Sequence, residues 1–497
     1  MSAKQQQQSR GNATAAGGGG SASALPLYAT KQESAGANGA TNGRDDATGP
    51  YVDAGVYRYE RDRKSHEFFS PGPHSTERTV KAPSAIFNLA STIIGGGILS
   101  LPYAFEKCGL VLAFVFMIVS AVASNFSLYV IVSCSRRGGA TTYEEIVRKA
   151  LGPKAGLITV TLLVLLTFLT MVAYVILMKD LVSSLGEQFL FARAISAAEQ
   201  NMLTIVCIAL VSPVLFAKSM DALRYTSIFS LCAVFLLAIA VAIRSVQSLQ
   251  SADGNVAVMN SESVSIKLFP SNWRDPVFAF PIISISFLCH FNKIVSATMF
   301  STWAFYMVVA TMGYLFAYRL PGGVKDDILN NFSINDSLIN VGRLGLLVTI
   351  MMNLPLIMQP CRMNTIRLGK YVSGFMKTYK SRSSNGEDIA LLTTPTAMHE
   401  AVTPAVRNQN VLHVALTIAI ICGVVALALV LPGVAVVWNM VGSTVGILIS
   451  YVLPCVSYII IRKNRERTDR RKVTAWIILV VGSIMCVACT LQAFKLV

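Results

Sequence analysis

The chain has 497 residues, of which 53% are hydrophobic and only 14% are charged, and its mean hydropathy is +0.56. This composition excludes a soluble globule with a charged shell and is typical of a polytopic membrane protein. The net charge of +16 does not indicate a nucleic-acid partner, because the Lys and Arg residues are scattered over separate short segments instead of one face.

Residues 1–81 differ in composition from the rest of the chain. They contain few large apolar side chains, a QQQQ run at 5–8 and a GGGG run at 17–20. Such a segment cannot bury enough apolar surface to offset the entropy lost on ordering. We therefore predict a disordered cytoplasmic tail over 1–81 and a transmembrane domain over 82–497.

Apolar stretches near the ~20 residues that cross a hydrocarbon core recur eleven times along that domain. Numbered as spans 1 to 11, they cover 84–106, 109–133, 156–178, 200–217, 223–243, 276–291, 295–318, 341–361, 411–431, 434–461 and 474–494. An odd number of spans places the chain termini on opposite sides. Most Lys and Arg residues, including the basic run at 462–472, then lie on the side of the N-terminus, which is predicted to be cytoplasmic.

Three connecting segments are long and polar. Residues 244–275 and 319–340 are predicted to lie outside, and the second contains candidate glycosylation sites at Asn331 and Asn335. Residues 362–410 are predicted to form a flexible cytoplasmic loop, rich in Ser, Thr and Asn.

Span 1 contains the sequence IIGGGILSLP at 93–102, in which Gly95, Gly96 and Gly97 are consecutive. Each glycine costs a helix roughly 1 kcal/mol relative to alanine. One interpretation is close helix packing through small residues. The other is an unwound stretch whose free N–H groups receive a carboxylate, and three adjacent glycines favour it.

Span 6 carries a second set of helix-breaking signals. Pro281 is followed by Ser284 and Ser286, and then by His290. If spans 1–10 form two inverted repeats of five, spans 1 and 6 correspond, and both are predicted to be broken. His290 suits proton coupling, since its ordinary pKa is near 6.5; alternatively, it is a neutral imidazole that caps the helix end.

Other polar residues within the spans have two interpretations each. Lys179 and Asp180, at the predicted end of span 3, are interpreted as a snorkelling pair rather than a functional site. Thr349 and Asn353 on span 8 either face an ion site or only form interhelical hydrogen bonds. The residues of span 1 that would share this ion site are Ser91 and Thr92.

Three stretches resemble the eukaryotic amino acid/auxin permease family, and in particular the amino acid permeases of trypanosomatid protozoa. They are FNLASTIIGGGILSLPYAFEKCG at 87–109, FLCHFN at 287–292 and LPLIMQPCR at 354–362. The resemblance covers about 82–497. It implies an all-α membrane protein of LeuT-like fold, with a 5+5 inverted repeat plus one C-terminal helix, that moves amino acids by alternating access.

The family resemblance also implies a substrate site between spans 1 and 6. The α-carboxylate would be received by Gly95, Gly96 and Gly97. The α-ammonium would be held by backbone carbonyls of Ser286, Phe287, Leu288 and Cys289, together with carbonyls of span 1.

The sequence departs from the family in two places. Sodium-coupled members carry Asn at the position of Ser91, so the resemblance favours proton over sodium coupling. The family also has a polar cytoplasmic loop between spans 6 and 7, whereas here the two spans follow each other almost directly.

We therefore expect a secondary active amino acid transporter in the plasma membrane rather than in a vacuolar or lysosomal membrane. The alternatives are an amino acid sensor with reduced transport and a sodium-coupled symporter. The spans contain neither paired carboxylates nor a nucleophile motif, and no phosphate-binding loop is present, so neither an enzyme, a cofactor, a resident metal nor direct use of ATP is expected.

Overall fold

The computed structural model describes residues 96–140, 142–191, 193–216, 226–254, 266–286, 292–384, 406–463 and 469–494. Within these ranges every regular element is a helix. The predicted tail and its boundary at residue 81 lie outside the described residues. The same holds for the site candidates Ser91, Thr92, Gly95, Phe287, Leu288, Cys289 and His290.

Nine helices in the described ranges are long and apolar enough to cross a membrane. They are Leu110–Ser135, Pro153–Phe191, Ala197–Leu215, Phe229–Gln250, Phe300–Ala317, Ser337–Gly374, Val411–Val430, Val434–Ile461 and Arg470–Ala493. These correspond to nine of the predicted spans, and the two others are spans 1 and 6. The chain is thus an all-helical polytopic membrane protein, while the count of eleven spans stays a prediction.

The described helices are Leu101–Cys108, Leu110–Gly138, Tyr143–Leu151, Pro153–Gly186, Ala197–Leu215, Thr226–Gly254, Arg274–Ile285, Asn292–Ala317, Ser337–Ser384, Val406–Val430, Val434–Met440, Leu453–Ile461 and Arg470–Phe494. Tight 3-10 turns cover Gly96–Ser100 and Ile328–Asn331. Wide π-helical turns cover Glu187–Phe191, Val441–Gly446 and Leu448–Val452.

Span 3 is longer than its hydrophobic pattern predicts. Its helix runs from Pro153 to Gly186, so Lys179 and Asp180 lie within the helix and not at its end, which corrects that part of the prediction. The helix continues because Leu181, Val182 and Leu185 are apolar and buried in the core.

Span 8 also continues beyond its predicted end. The helix Ser337–Ser384 has 48 residues, a length of about 72 Å, compared with ~30 Å for a hydrocarbon core. Residues 362–384, expected to belong to a flexible loop, are therefore helical. The sequence allows this because no proline occurs between Pro360 and Pro395.

Span 6 is short. Its helix Arg274–Ile285 has 12 residues, about 18 Å, and Asn292 already begins the helix of span 7. Only residues 287–291 separate Ser286 from Asn292. The described helix of span 6 therefore ends six residues before its predicted end at residue 291.

The helices pack in two connected groups. Span 8 packs against spans 3 and 5, while span 1 packs against spans 6 and 7. Gly342 and Gly345 bring span 8 close to span 5: a Cβ atom on Gly342 would lie 2.6 Å from Leu237 Cδ1, and one on Gly345 would lie 3.1 Å from the Cβ of Ala233. Small residues thus set the separation of these two helices.

Candidate functional site

The described part of span 1 changes helix type just after the glycine run. Gly96–Ser100 form a 3-10 turn, and the α-helix Leu101–Cys108 begins with Pro102 in its first turn. Proline favours that position because its missing N–H needs no partner there. The residues before Gly96, which would show an interruption of the helix, lie outside the described ranges, so the predicted break stays a prediction.

Gly97 of span 1 and Ser286 of span 6, which lie where the two spans are predicted to be broken, are close to each other. A Cβ atom on Gly97 would lie 3.1 Å from Ser286 Oγ, and the Ser286 hydroxyl donates to the carbonyl of Ile282 at 3.0 Å. Only a residue without a side chain fits against Ser286 without displacing it. The structure therefore places two predicted site residues, from different spans, in direct proximity.

Span 10 covers span 6 on the side of the proline. Gly442 lies so close to the backbone of Pro281 that a Cβ atom would collide with the Pro281 carbonyl oxygen. One turn earlier, Asn439 Nδ2 donates to the carbonyl of Phe278 at 2.8 Å. Pro281 has no N–H and cannot donate to the carbonyl four residues before it. The Asn439 amide donates to the carbonyl that follows that one along the helix, the carbonyl of Phe278.

Three buried hydroxyl groups join spans 2, 6 and 10 near this contact. The Tyr451 hydroxyl lies 3.1 Å from Ser124 Oγ and 3.0 Å from Ser284 Oγ, and all three side chains are buried. Tyr451 sits in the wide turn Leu448–Val452. The neighbouring carbonyl of Ile449 accepts from the Tyr143 hydroxyl at 2.8 Å, so side chains serve backbone groups of this irregular turn.

The turn Ile328–Asn331 covers span 1 from the predicted outer side. Ile328 and Leu329 are fully buried. A Cβ atom on Gly313 of span 7 would lie 2.6 Å from Pro102 Cγ and 3.1 Å from Ile328 Cγ1. The turn therefore packs where spans 1 and 7 meet, directly after the 3-10 segment.

Hydrogen bonds hold this covering turn in place. The Arg343 guanidinium, buried on span 8, donates to the carbonyls of Leu329 at 2.8 Å, Phe332 at 3.1 Å and Ser333 at 3.3 Å. On the other side, Glu106 accepts from the N–H of Val324 at 2.9 Å. The turn is thus attached to span 8, and the segment before it is attached to the end of span 1.

The two described candidates for the ion site, Thr349 and Asn353, lie on span 8 and not on spans 1 or 6. Thr349 is buried, and its hydroxyl donates to Gly345 within its own helix at 2.9 Å. Asn353 is buried on the same helix. Their partners in the predicted ion site lie outside the described residues, so that site stays a prediction.

The two candidate glycosylation sites differ in their surroundings. Asn335 is exposed. Asn331 is half-buried, and its amide donates to the carbonyl of Gly323 at 2.9 Å while its oxygen accepts from the N–H of Lys325 at 2.9 Å. The geometry therefore favours Asn335.

A family model described as "Transmembrane amino acid transporter protein" matches residues 78–495, which is most of the chain. The chain belongs to the transmembrane amino acid transporter family. This family membership agrees with the resemblance found in the glycine run and in the stretches at 287–292 and 354–362.

Two relatives in this transporter family differ in what their names describe. Vacuolar amino acid transporter 5 of Schizosaccharomyces pombe is 26% identical over 391 residues, which are 75% of this chain and 82% of that protein. Sodium-coupled neutral amino acid symporter 2 of Danio rerio is 22% identical over 460 residues, covering 85% of this chain and 82% of that protein.

A solved structure of a nucleobase-cation-symport-1 family transporter in a closed conformation is 13% identical and covers 84% of this chain and 91% of that chain. Its TM-score is 0.48. A similarity this low assigns neither a substrate nor a coupling ion to this member of the family.

Sequence reasoning missed several residues that the structure places around the site. Arg343 lies inside predicted span 8, and an ionisable residue at membrane depth is a signal that could have identified it. Asn439, Gly442 and Tyr451 gave no comparable signal, because isolated polar and small residues are common in transmembrane helices.

Proposed function

We propose that the chain is a secondary active transporter that binds an amino acid between spans 1 and 6 and works by alternating access. The α-carboxylate is received by N–H groups of Gly95, Gly96 and Gly97, and the α-ammonium by carbonyls beginning at Ser286. The observation that carries the proposal is the approach of Gly97 to Ser286. It supports a shared site because the two residues come from the spans that correspond in an inverted repeat.

The test compares two glycine variants. In Gly97→Ala the new Cβ atom must displace Ser286 or the backbone beside it. Loss of one charge-assisted hydrogen bond, worth about 1.5–3 kcal/mol, would weaken substrate binding roughly 10- to 150-fold. The measurement is the KM for uptake of labelled amino acids at equal surface expression.

The control is Gly482→Ala on span 11, where a Cβ atom would make an ordinary contact with the Tyr451 Cβ at 3.4 Å. It should transport normally. Ser286→Ala, which keeps the backbone carbonyl, should partly rescue Gly97→Ala by removing the hydroxyl. Equal KM values for Gly97→Ala and wild type would show that Gly97 is a packing residue and that the binding site is elsewhere.

We propose that amino acid transport is coupled to protons in place of sodium and that the protein lies in the plasma membrane. Ser91 stands where sodium-coupled members of the family have Asn, and His290 follows the short helix of span 6. Uptake should persist when choline replaces sodium and should fall when the pH gradient is collapsed. A fluorescent fusion found only on an internal membrane would contradict the location.

A sensor that binds amino acids but transports them poorly is the second candidate. It is favoured by the short junction between spans 6 and 7, because only five residues connect Ser286 to Asn292, where the family has a polar loop. Ligand-induced thermal stabilisation of the purified protein, without uptake in cells, would support the sensor over the transporter.

A further inference from the structure

Asp327 is a buried carboxyl group directly before the covering turn Ile328–Asn331. Its side chain is 0% exposed. Oδ1 accepts from the N–H of Leu329 at 2.9 Å, whereas no described residue donates to Oδ2, which is also buried. An ionised oxygen in this position would lose its hydration without a replacement donor.

The charges that face Asp327 are mainly negative. Asp180 of span 3 and the adjacent Asp326 repel a charge on Asp327, and Arg343 of span 8 attracts it. Asp180 itself is approached by Lys179 and hydrogen-bonded by the Asn330 side chain. Within the described part of the chain, the Arg343 guanidinium donates its hydrogen bonds to backbone carbonyls and, at 2.6 Å, to Asn340 Oδ1.

These surroundings favour the neutral form. Burial, reinforced by the charges of Asp180 and Asp326, raises the pKa of Asp327 from 3.8 to about 8, against the opposing hydrogen bond from Leu329 and the charge of Arg343. The burial of Asp327 goes with the packing of the turn, because Ile328, the next residue, is fully buried and its Cγ1 would lie 3.1 Å from a Cβ atom on Gly313 of span 7.

We propose that Asp327 is a proton-binding site, next to Asp180, and that a proton taken from the outer solution allows the turn Ile328–Asn331 to pack over span 1. The proton adds to Oδ2, and no other bond changes. The inference rests on the proposed transport function, and it assigns the outer protonation step to Asp327 instead of His290.

The direction of the pH effect follows from linkage. With the turn lifted into water, Asp327 titrates near 3.8; with the turn packed, it titrates near 8. Packing therefore takes up a proton between these values and becomes less favourable by up to tenfold per pH unit as the pH rises through that window. Above about pH 8 the cost no longer increases.

The experiment measures exposure of the turn directly. Two cysteine variants are made in a Cys108→Ala background: Leu329→Cys and Ile334→Cys. Position 329 is buried when the turn is packed, whereas position 334 is exposed. Both variants are labelled from outside with a membrane-impermeant methanethiosulfonate. The ratio of the two rates removes the pH dependence of thiol reactivity itself. This ratio should rise by up to tenfold per pH unit between pH 6 and 8.

Asp327→Asn should make the ratio independent of pH, because the amide stays neutral. Asp326→Asn is the matched control: it removes a charge one residue away and should keep the slope, with its midpoint at a lower pH. If Leu329→Cys does not reach the membrane, Ile328→Cys reports on the same buried turn.

The same slope in Asp327→Asn, or a ratio that follows sodium concentration at constant pH, would overturn the proton site. Labelling does not depend on transport. A pH-dependent ratio in a chain that fails to take up amino acids would therefore uphold the proton site and refute the proposed transport, whereas uptake with a flat ratio would do the reverse.

Discussion

Arg343 shows how a single side chain holds the segment around the covering turn Ile328–Asn331. It is 1% exposed, and its guanidinium satisfies three carbonyls of the segment that follows Asp327. A guanidinium suits this role because its N–H groups diverge in a fixed plane, whereas an ammonium group presents a single point of attachment. The position of the covering turn thus depends on one residue of span 8.

Replacing Arg343 with Met should destabilise the protein more than any substitution of an exposed ion pair. Each buried carbonyl left without a donor costs about 1–3 kcal/mol, so we expect a loss of at least about 2 kcal/mol. Arg244→Gln is the control, because Arg244 is 35% exposed in its pair with Asp336 at 2.6 Å and its loss should cost about 1 kcal/mol. Thermal unfolding in detergent should rank the two variants in this order; the reverse order would contradict it.

The helices of spans 1 and 6 were predictable from sequence to different degrees. Gly97 was expected at the site because a run of glycines breaks a helix locally, and Ser286 was expected there from the family resemblance. The wide turns of span 10 were not, because hydrophobicity along VGSTVGILISYV does not distinguish an α-helix from a π-helix. The 12-residue length of span 6 was also missed, although the short junction to span 7 was noticed.

Gly442 should be the glycine of span 10 that tolerates substitution least. In Gly442→Ala the methyl group meets the carbonyl of Pro281, and the backbone of span 6 must move away. Forced overpacking of this kind typically costs 1–3 kcal/mol, so we expect a loss of about that size together with reduced uptake. Gly482→Ala serves as the control in the same assays, and equal stability of the two variants would show that spans 6 and 10 are not in fixed contact.

The orientation of the whole molecule rests on the sequence, through the distribution of Lys and Arg. The cytoplasmic N-terminus and the outer position of segment 319–340 therefore stay predictions. The sequence could not distinguish the two sequons, however, because the difference between Asn331 and Asn335 arises from the folded turn.

Asn335 should carry the glycan if the protein passes through a glycosylating compartment. Asn335→Gln should then abolish the mobility shift produced by endoglycosidase treatment. Asn331→Gln should leave that shift unchanged, because the Asn331 amide is engaged with Gly323 and Lys325. A shift lost only in Asn331→Gln would mean that this turn is not folded when the glycan is added.

An ion pair joins the short helix Tyr143–Leu151 to the extension of span 8 on the predicted cytoplasmic side. Glu144, in the short helix after span 2, and Arg367, in the extension of span 8, approach to 2.7 Å, with 8% and 37% of their side chains exposed. This pair must separate if span 2 moves relative to span 8 during alternating access. Cys134, near the end of span 2, is buried beside the short helix and should react with thiol reagents when the short helix undocks.

Arg367→Gln should favour that undocked state, because it leaves the Glu144 carboxylate buried without its cation. A penalty of about 1–3 kcal/mol would raise the undocked population roughly 5- to 150-fold, and maleimide labelling of Cys134 in inside-out vesicles should accelerate accordingly. The double variant Glu144→Gln with Arg367→Gln should label more slowly than Arg367→Gln, since removing both charges is less costly than removing one. If both variants label at the wild-type rate, the pair does not hold the cytoplasmic side closed, and the movement of span 2 relative to span 8 must be controlled elsewhere.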